Sequence, residues 1–347
     1  MRNYKENLIK KDTLIKDALL ILDALAKDSV LFVVDEEDVL LGTLTDGDIR
    51  RFLIKGKGIN EMVSKVMNIK PRVLTDDYSD FKKIKDYKND NLRIIPILNK
   101  KNQIIDVLNF NYYKSFLPIS VVIMAGGKGK RLLPLTKNKP KPLLEINGIP
   151  IIEHNLNRLK SYGIKDFAIS LNYLGDQIKN YFDQKSKKEF RFNYICEKTP
   201  LGTVGALSKL KNVSNEHILL SNSDILTDLN YEDFYLDFID KDSDFHILTF
   251  PYNYSIPFAV LETDDNSVSY IKEKPTYKHE CNAGIYLMKR EVIELIPKDS
   301  FYDATDLIEL LIKLGKRVTT YIHNGYWIDI GRHEDFKRAQ NDINNLK

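Results

Sequence analysis

The sequence predicts an α/β protein in two parts: a mixed, mostly parallel sheet over residues 118–347, preceded by a smaller module over residues 1–117. Three observations carry this. From residue 119 the chain alternates strand, loop and helix signals, as a parallel sheet with helices on both faces requires. The strand that opens this part, Val121, Val122, Ile123 and Met124, is apolar without alternation, which suits a strand covered on both faces. The first 117 residues instead hold a weak internal repeat with a period of roughly 64.

Each half of that repeat reads as helix, hairpin, helix, which divides the module into 1–64 and 65–117. In the first half Leu14, Ala18, Leu22 and Leu25 stand at helical spacing within residues 13–26. Short apolar strands follow at 30–34 and 39–44, around a turn at 35–38. The segment TDGDIRRFL comes next, with Thr45 or Asp46 placed to cap a helix. In the second half the strands are 93–98 and 103–108, with the turn at 99–102. Two copies of one unit imply a pseudo-symmetric pair that buries its sheets together. In the larger part, the run 217–220 is a further apolar strand, and it leads into SNSD at the carboxyl edge of the sheet, where open α/β sheets bind ligands.

Composition narrows the function. The 347 residues are 43% apolar, enough for two buried cores, and their charges nearly cancel at +3. No stretch of eighteen residues is free of charge, and the first residues carry lysines and acids where a leader would need an apolar run. A soluble, cytoplasmic protein without membrane contact is expected. Two cysteines, Cys196 and Cys281, and six histidines without HxxxH or CxxC spacing argue against a disulfide framework and a structural zinc site. Residues 1–117 hold 21 Lys+Arg against 18 Asp+Glu, and residues 118–347 hold 31 against 31. A neutral larger part argues against nucleic acid as its partner, because phosphate backbones are held by an excess of cations. The run Lys82, Lys83, Lys85, Lys88 reads as a solvated helix face.

The loop GGKGKRLLPLT after the first buried strand is rich in glycine and cations. Successive N–H groups in such a loop can cradle a triphosphate, and glycines remove the side chains that would block it. Neither GxxxxGK[ST] nor GxGxxG is present. The continuation AGGKGKRLLPLTKNKPKPLLEINGIPII resembles the signature of the sugar-1-phosphate nucleotidylyltransferases, GGxGxRLxPLT followed by PKPL. Supporting motifs occur in the family's order: LGTVGAL (201–207), SNSDIL (221–226), KEKP (272–275), NAGIYLM (282–288) and WIDIG (327–331). The resemblance implies a Rossmann-like nucleotidyltransferase domain that binds a nucleoside triphosphate and a sugar 1-phosphate. In such a reaction the sugar phosphate attacks the α-phosphorus in line and expels pyrophosphate. A phosphate monoester, with a second pKa near 6, is already largely dianionic at neutral pH and needs no general base. Cations, Mg²⁺ and aligned N–H groups then supply most of the catalysis.

By residue, the resemblance assigns Ala125, Gly126, Gly127, Gly129, Leu201, Gly202 and Thr203 to the nucleotide. Arg131 in the glycine loop reaches the β- or γ-phosphate, Lys141 between two prolines the α-phosphate and sugar phosphate, and Lys274 the sugar phosphate from an opposite wall. Gly205, Glu273 and Asn282 are assigned to the sugar, with Tyr173 as a bordering aromatic. Asp224 and Asp329 are the Mg²⁺ carboxylates, a number that ion prefers beside phosphate oxygens and water. Asp228 reads as a helix cap and His333 as a surface residue. Lys130 stands where the family has Thr or a small residue, and it is expected to face solvent.

GGKGxRLxPLT with PKPLL and PLGTVGAL is most similar to the guanylyltransferase branch, which implies GTP. UTP or dTTP, and glucose, mannose or heptose 1-phosphate, stay open as substrates. A catalytically silent domain is the alternative from another class; the presence of every expected cation and carboxylate argues against it. In the N-terminal module GTLTDGDIRR resembles the CBS domain signature, which implies that Gly42, Thr45 and Asp48 meet the ribose and phosphate of an adenine or guanine nucleotide. In the second half Asp106, Asn109 and Tyr112 stand in place of Gly, Thr and Asp, so at most one cleft is intact. A ligand sensor and a packing module that joins copies into a homo-oligomer both fit these residues. The fusion resembles bacterial enzymes that make GDP-glucosamine for legionaminic-type nonulosonic acids, with glucosamine 1-phosphate as the sugar.

Overall fold

The computed structural model describes residues 4–75, 81–185, 191–211, 213 and 215–345. The chain divides into two units, Met1–Leu117 with Ser161–Gly163, and Pro118–Lys160 with Ile164–Lys347.

The first unit holds two three-stranded sheets. One comprises β1 (Leu8–Lys10), β2 (Val30–Val34) and β3 (Leu40–Thr45), with helices α1 (Ile15–Leu25) and α2 (Asp46–Ile54). The other comprises β4 (Leu74–Thr75), β5 (Ile94–Leu98) and β6 (Ile104–Asn109), with α3 (Phe81–Asn89). In each sheet the first strand pairs parallel and the last antiparallel to the central one. The sheets also join reciprocally: the Leu40 amide donates to Asn102 O (3.0 Å) and the Ile104 amide to Asp38 O (3.3 Å). Ile15, Ala18, Leu22 and Leu25 bury the inner face of α1 against Leu31, Val33 and Leu44.

Two features differ from the expected pattern. The short strands β1 and β4 were not anticipated; three residues and two carry no readable periodicity. No helix follows β6, because the Tyr112 and Tyr113 amides both close on Asn109 O in a single turn and Pro118 lies just beyond. Lys83, Lys85 and Lys88 lie exposed on α3, while the side chain of Lys82 lies outside the described residues.

The second unit is built on a seven-stranded sheet. Its strands are β7 (Ile119–Met124), β10 (Asp166–Leu171), β11 (Arg191–Cys196), β12 (His217–Asn222), β14 (Phe245–Ser255), β17 (Thr276–Lys289) and β18 (Val318–Ile322). Between them fall the short strands β8 (Glu145–Ile146), β9 (Ile149–Pro150), β13 (Ile225–Thr227), β15 (Val260–Asp264), β16 (Ser267–Lys272) and β19 (Trp327–Asp329). The helices are α4 (Ile151–Lys160), α5 (Gly175–Lys185), α6 (Tyr231–Asp240), α7 (Ala304–Lys313) and α8 (His333–Asp342). The order in the sheet is β11-β10-β7-β12-β17-β14-β18. Only β17 runs antiparallel to its neighbours, so the sheet is mixed and mostly parallel.

Val121, Val122 and Ile123 are buried in β7 at the middle of this sheet, as their unbroken apolar run requires. The carboxyl ends of β7, β10, β11 and β12 therefore converge on one edge, and the loops that leave them form the site. Beyond residue 250, β14 and β17 continue as a two-stranded arm, largely exposed and carrying the β15–β16 hairpin.

Candidate functional site

The loop after β7 is shaped by three glycines that do different things. A side chain at Gly126 would stand 3.2 Å from Glu197 Oε1, whereas Gly127 has open space in front of it. Gly129 adopts φ +59° and caps a short 3-10 turn, Lys130–Leu132, where a Cβ would meet Thr136 at 2.9 Å; this is a position for glycine alone. Thr136 Oγ1 donates to Gly129 O (2.9 Å), and Tyr173 Oη donates to the carbonyls of Thr136 (3.2 Å) and Lys137 (3.0 Å), closing the loop into a frame. Tyr173 thus ties down the loop. Ala125 is buried, its amide held by Ser170 O. Lys130 is exposed, and Arg131 lays its guanidinium 3.2 Å from the point where Gly331 would carry a Cβ.

Pro140 and Pro142 stiffen the approach to Lys141, which is only 8% exposed. Its ammonium donates to Asp224 Oδ2 and lies 3.7 Å from Asp329 Oδ1. The two carboxylates, over a hundred residues apart, meet through a small antiparallel ladder: β13 pairs with β19, Ile225 faces Asp329, and the Ile330 amide donates to Asp224 O (3.0 Å). Burial raises the Asp329 pKa, Asp224 raises it further, and Lys141 and Arg131 oppose the shift. Asp329 Oδ1 is buried without a hydrogen-bond partner. Among the described residues no group of three or more metal-ligating side chains gathers, so a cation here would have two carboxylates to meet.

A cleft of about 320 Å³ opens beside this pair. Gly126 and Gly127, Lys141 and Pro142, Leu201 to Thr203 and Asn222 to Asp224 line it, together with Met124, Glu197, Pro200 and Phe301. Sequence reasoning missed Glu197. Its carboxylate is buried at the end of β11, where Oε1 accepts from Ser170 Oγ and Oε2 accepts from the Leu201 amide at 2.9 Å. Asn172 Nδ2 donates to Glu197 O (2.9 Å), so one residue fastens the glycine loop, β10 and the LGTVGAL loop together. The strand before it, RFNYIC, carries an arginine and an asparagine and no apolar run, so no local signal marks Glu197.

The LGTVGAL loop is held mostly by its own chain. The amides of Val204 and Gly205 both donate to Tyr302 O (3.1 Å), the Thr203 amide donates to Asp303 Oδ1 (2.9 Å), and the Ala304 amide donates to Thr203 Oγ1 (2.7 Å). Among the described residues only the Gly202 N–H of residues 201–205 has no partner. Gly202 takes φ +77°, and a Cβ there would stand 2.6 Å from Tyr302 O.

Several expected site residues lie elsewhere. Gly205 is buried in a 3-10 helix, its α-carbon face filled by Ser300 O, and it does not reach the cleft. Glu273 and Lys274 are exposed in the link between β16 and β17, and Asn282 is exposed on β17 with its amide donating to Tyr286 Oη (2.8 Å); none of the three lines the cleft. Asp228 is not a cap: it pairs with His323 at 2.9 Å, and Asn230 caps α6 instead. His333 is exposed at the start of α8.

In the first unit the signature residues are turned on the protein itself. Gly42 is buried with Asn68 O at 2.7 Å from its virtual Cβ, so the close approach there is by the chain's own backbone. Thr45 and Asp48 form a reciprocal capping box on α2, and Arg51 holds the second Asp48 oxygen at 2.6 Å. Asn109 and Tyr112, at the degenerate positions, donate to the buried carboxylate of Asp28 at 2.9 Å each, joined by Asn111. Burial would raise the Asp28 pKa, but these three hydrogen bonds and the charge of Lys27 outweigh it and lower it.

A mostly parallel sheet with a glycine loop after an interior strand, and a lysine held between two facing carboxylates at the carboxyl edge, define a phosphate-handling α/β domain. The chain belongs to the nucleotidyl transferase family, whose model matches residues 120–345. It is 29% identical over 234 residues to a mannose-1-phosphate guanylyltransferase of Mycobacterium tuberculosis, covering 65% of this chain and 64% of that one. It is 32% identical over 235 residues to the bifunctional protein GlmU of Methanococcus vannielii, covering 64% of this chain and 54% of that one. The chain thus spans less than two thirds of the length of these curated relatives. Among solved structures it is similar to HddC from Yersinia pseudotuberculosis, with a TM-score of 0.52 and 28% identity over 65% of this chain and 99% of that one. A second HddC structure, complexed with GMP-PN, has a TM-score of 0.52 and 27% identity. Among the described residues no helix is long and apolar enough to cross a membrane.

Proposed function

We propose that the second unit transfers a guanylyl group from GTP to a sugar 1-phosphate, glucosamine 1-phosphate first, giving a GDP-sugar and pyrophosphate. The observation that carries the choice of guanine is Glu197. A carboxylate only accepts hydrogen bonds, and Glu197 has acceptor positions left after those taken by Ser170 and Leu201. Guanine presents adjacent N1–H and N2–H donors on its edge, whereas uracil and thymine place a single N–H between two carbonyls that a carboxylate repels. The free Gly202 amide supplies a donor for the guanine O6. The similarity to a guanylyltransferase and to a structure complexed with GMP-PN points the same way. The similarity to GlmU proteins keeps uridylyl transfer as the second reading.

In this mechanism Gly126, Gly127 and the turn at Gly129 offer backbone to the triphosphate, and Arg131 neutralises its outer phosphates. Lys141 moves between the carboxylates and the α-phosphoryl group, where charge develops. Lys274, Glu273 and Asn282, exposed and outside the nucleotide cleft, are assigned to the sugar 1-phosphate. Asp224 and Asp329 suit a hard divalent cation: both offer oxygen, and Asp329 Oδ1 is buried without a partner. Mg²⁺ held there would supply Lewis-acid stabilisation of phosphate charge.

For the first unit we propose a CBS pair that acts in packing and assembly of a homo-oligomer rather than as a nucleotide sensor. Its signature side chains are satisfied internally at Thr45, Asp48, Asn109 and Tyr112. Adenosine monophosphate titrated into the full chain should show no binding that Asp48→Ala removes, and sedimentation should show more than one chain per particle.

The catalytic reading is tested by pyrophosphate release over a matrix of GTP, UTP, dTTP, CTP and ATP against glucosamine, glucose, mannose and heptose 1-phosphates. GTP with glucosamine 1-phosphate should give the highest kcat/KM, and Glu197→Gln should lower kcat/KM for GTP at least about tenfold relative to UTP, the scale of one lost charged hydrogen bond. UTP or dTTP used tenfold better than GTP would overturn the choice of base and leave nucleotidyl transfer standing. No pyrophosphate from any pair would overturn both.

A further inference from the structure

We infer that Phe301 is a nucleobase-stacking residue, the lip on which the base of the bound nucleotide lies. The inference rests on the nucleotidyl-transfer reading but not on which base is used. Phe301 is the one aromatic ring lining the cleft among the described residues, and it is 62% exposed. Most large apolar side chains around it are buried: Leu201, Val204, Ala304 and Leu307 belong to one core cluster, with Tyr302 packed against it. Phe301 is turned out of that core and lines the cleft.

Its backbone is fixed on both sides. Ser300 O lies against Gly205, where a Cβ would come within 2.6 Å, and the Tyr302 amide donates to Leu201 O at 3.0 Å while Tyr302 O accepts from Val204 and Gly205. The glycines of LGTVGAL thus bring residues 300–303 close, and Phe301 lines the cleft together with Pro200, Leu201, Gly202 and Glu197. A ring on a backbone this firmly held loses little freedom when a ligand covers it. An exposed aromatic face is matched by a planar base, since stacking removes apolar area from water on both partners and needs no particular hydrogen-bond pattern. The ring therefore adds affinity for any base, while Glu197 chooses among them. Neither the triphosphate nor the sugar phosphate has a planar group for it.

Equilibrium binding to the full chain separates these contributions, with GTP, UTP and inorganic tripolyphosphate as probes. Phe301→Ala should weaken GTP and UTP each by about tenfold or more, the effect of losing one aromatic stack, and leave tripolyphosphate within twofold. Phe301→Leu should share the loss, and Phe301→Trp should restore affinity and show indole emission quenched by GTP but not by tripolyphosphate. In turnover, Phe301→Ala should raise KM for the nucleotide with kcat and the KM for sugar phosphate unchanged, as loss of uniform binding does. Equal weakening of nucleotides and tripolyphosphate, or a nucleotide affinity unchanged by Phe301→Ala, overturns the stacking role whichever base is preferred. A wild-type preference for UTP over GTP overturns only the guanine reading, because the ratio of nucleotide to tripolyphosphate affinity still reports the ring.

Discussion

Replacing Lys141 with Met should separate catalysis from stability more sharply than any other single change in the cleft. The ammonium contacts Asp224 directly and lies 3.7 Å from Asp329. At an effective dielectric constant of about 20, attraction across that second distance is worth about 4 kcal/mol gross. Little of it survives as net stability. Lys141 and the facing Asp329 Oδ1 are both taken out of water, and that desolvation offsets most of the attraction. A net destabilisation of about 1 kcal/mol is expected for a methionine that keeps the apolar stem. The catalytic loss should be much larger. A preorganised cation that meets developing phosphoryl charge contributes about 10² to 10³ in rate, near 3–4 kcal/mol. Pyrophosphate release at saturating substrates, measured beside urea denaturation of the same preparation, reads both quantities. Lys141→Arg is the companion, because a guanidinium keeps the charge but not the compact point geometry, and it should recover stability without full activity. A Lys141→Met rate within tenfold of wild type refutes the assignment. So does a denaturation midpoint that collapses in step with the rate, since the lysine would then be a structural ion pair.

Asp224→Asn and Asp329→Asn should each remove most turnover while leaving the far-UV spectrum unchanged, and titration with Mg²⁺ should restore neither; near-normal rates in either variant would reject the pair as a cation site. Gly202→Ala should destabilise by about 2 kcal/mol or more, because it combines a left-handed φ with a 2.6 Å approach to Tyr302 O, and a neutral effect on the denaturation midpoint would show that the segment at 300–303 yields. His246 gives the pH dependence. It is fully buried between Phe234 and Thr319, with Asp237 at 3.1 Å and Lys241 nearby, and burial holds its pKa down to about 4 despite Asp237. The unfolded chain binds that proton near pH 6.5, so the stabilising contribution is complete above that value and is lost as pH falls toward 4. Between pH 7 and 5 the wild type should lose about 2 kcal/mol that His246→Gln does not, and parallel curves for the two would exclude this residue.

Local signals in the sequence were read where a segment's structure is decided by its own residues. The apolar run at 121–124 lies in β7 because a strand covered on both faces needs no alternation. The helical spacing of Leu14, Ala18, Leu22 and Leu25 marks α1, although Leu14 proves to be its N-cap. What was not legible depends on partners far along the chain. Glu197 sits in EKTP, a segment that looks like solvated loop, and it is buried only because Ser170 and Leu201 close over it. The β13–β19 ladder that joins the carboxylates consists of two three-residue strands a hundred positions apart, too short for any period. The resemblance assigns Gly202 to the nucleotide and Gly205 to the sugar, yet the space in front of both is taken by the chain's own residues 300–303. At Thr45 and Asp48 the signal was available and ambiguous: a threonine followed three residues later by an acid is also the pattern of a capping box, and that is how the two side chains are used.

On the proposed reading, the distribution of charge also fixes which way round a nucleotide enters. Lys141 and Arg131 stand beside the carboxylates Asp224 and Asp329, so that end combines cations with oxygen ligands able to share a divalent ion. Among the described residues, Glu197 lines the same cleft with no cation hydrogen-bonded to its carboxylate, which is held by a hydroxyl and a main-chain amide. A triphosphate placed against Glu197 would bring like charges together in a poorly hydrated setting, at a cost that grows as water is excluded. A base placed there can donate hydrogen bonds to the carboxylate while its face covers Phe301. Reversing the nucleotide would therefore lose attraction at one end and add repulsion at the other, so a single orientation wins even before the sugar phosphate arrives. The α-phosphorus is then held near Lys141 by the two ends jointly, and in-line attack needs only the second substrate to be brought to it.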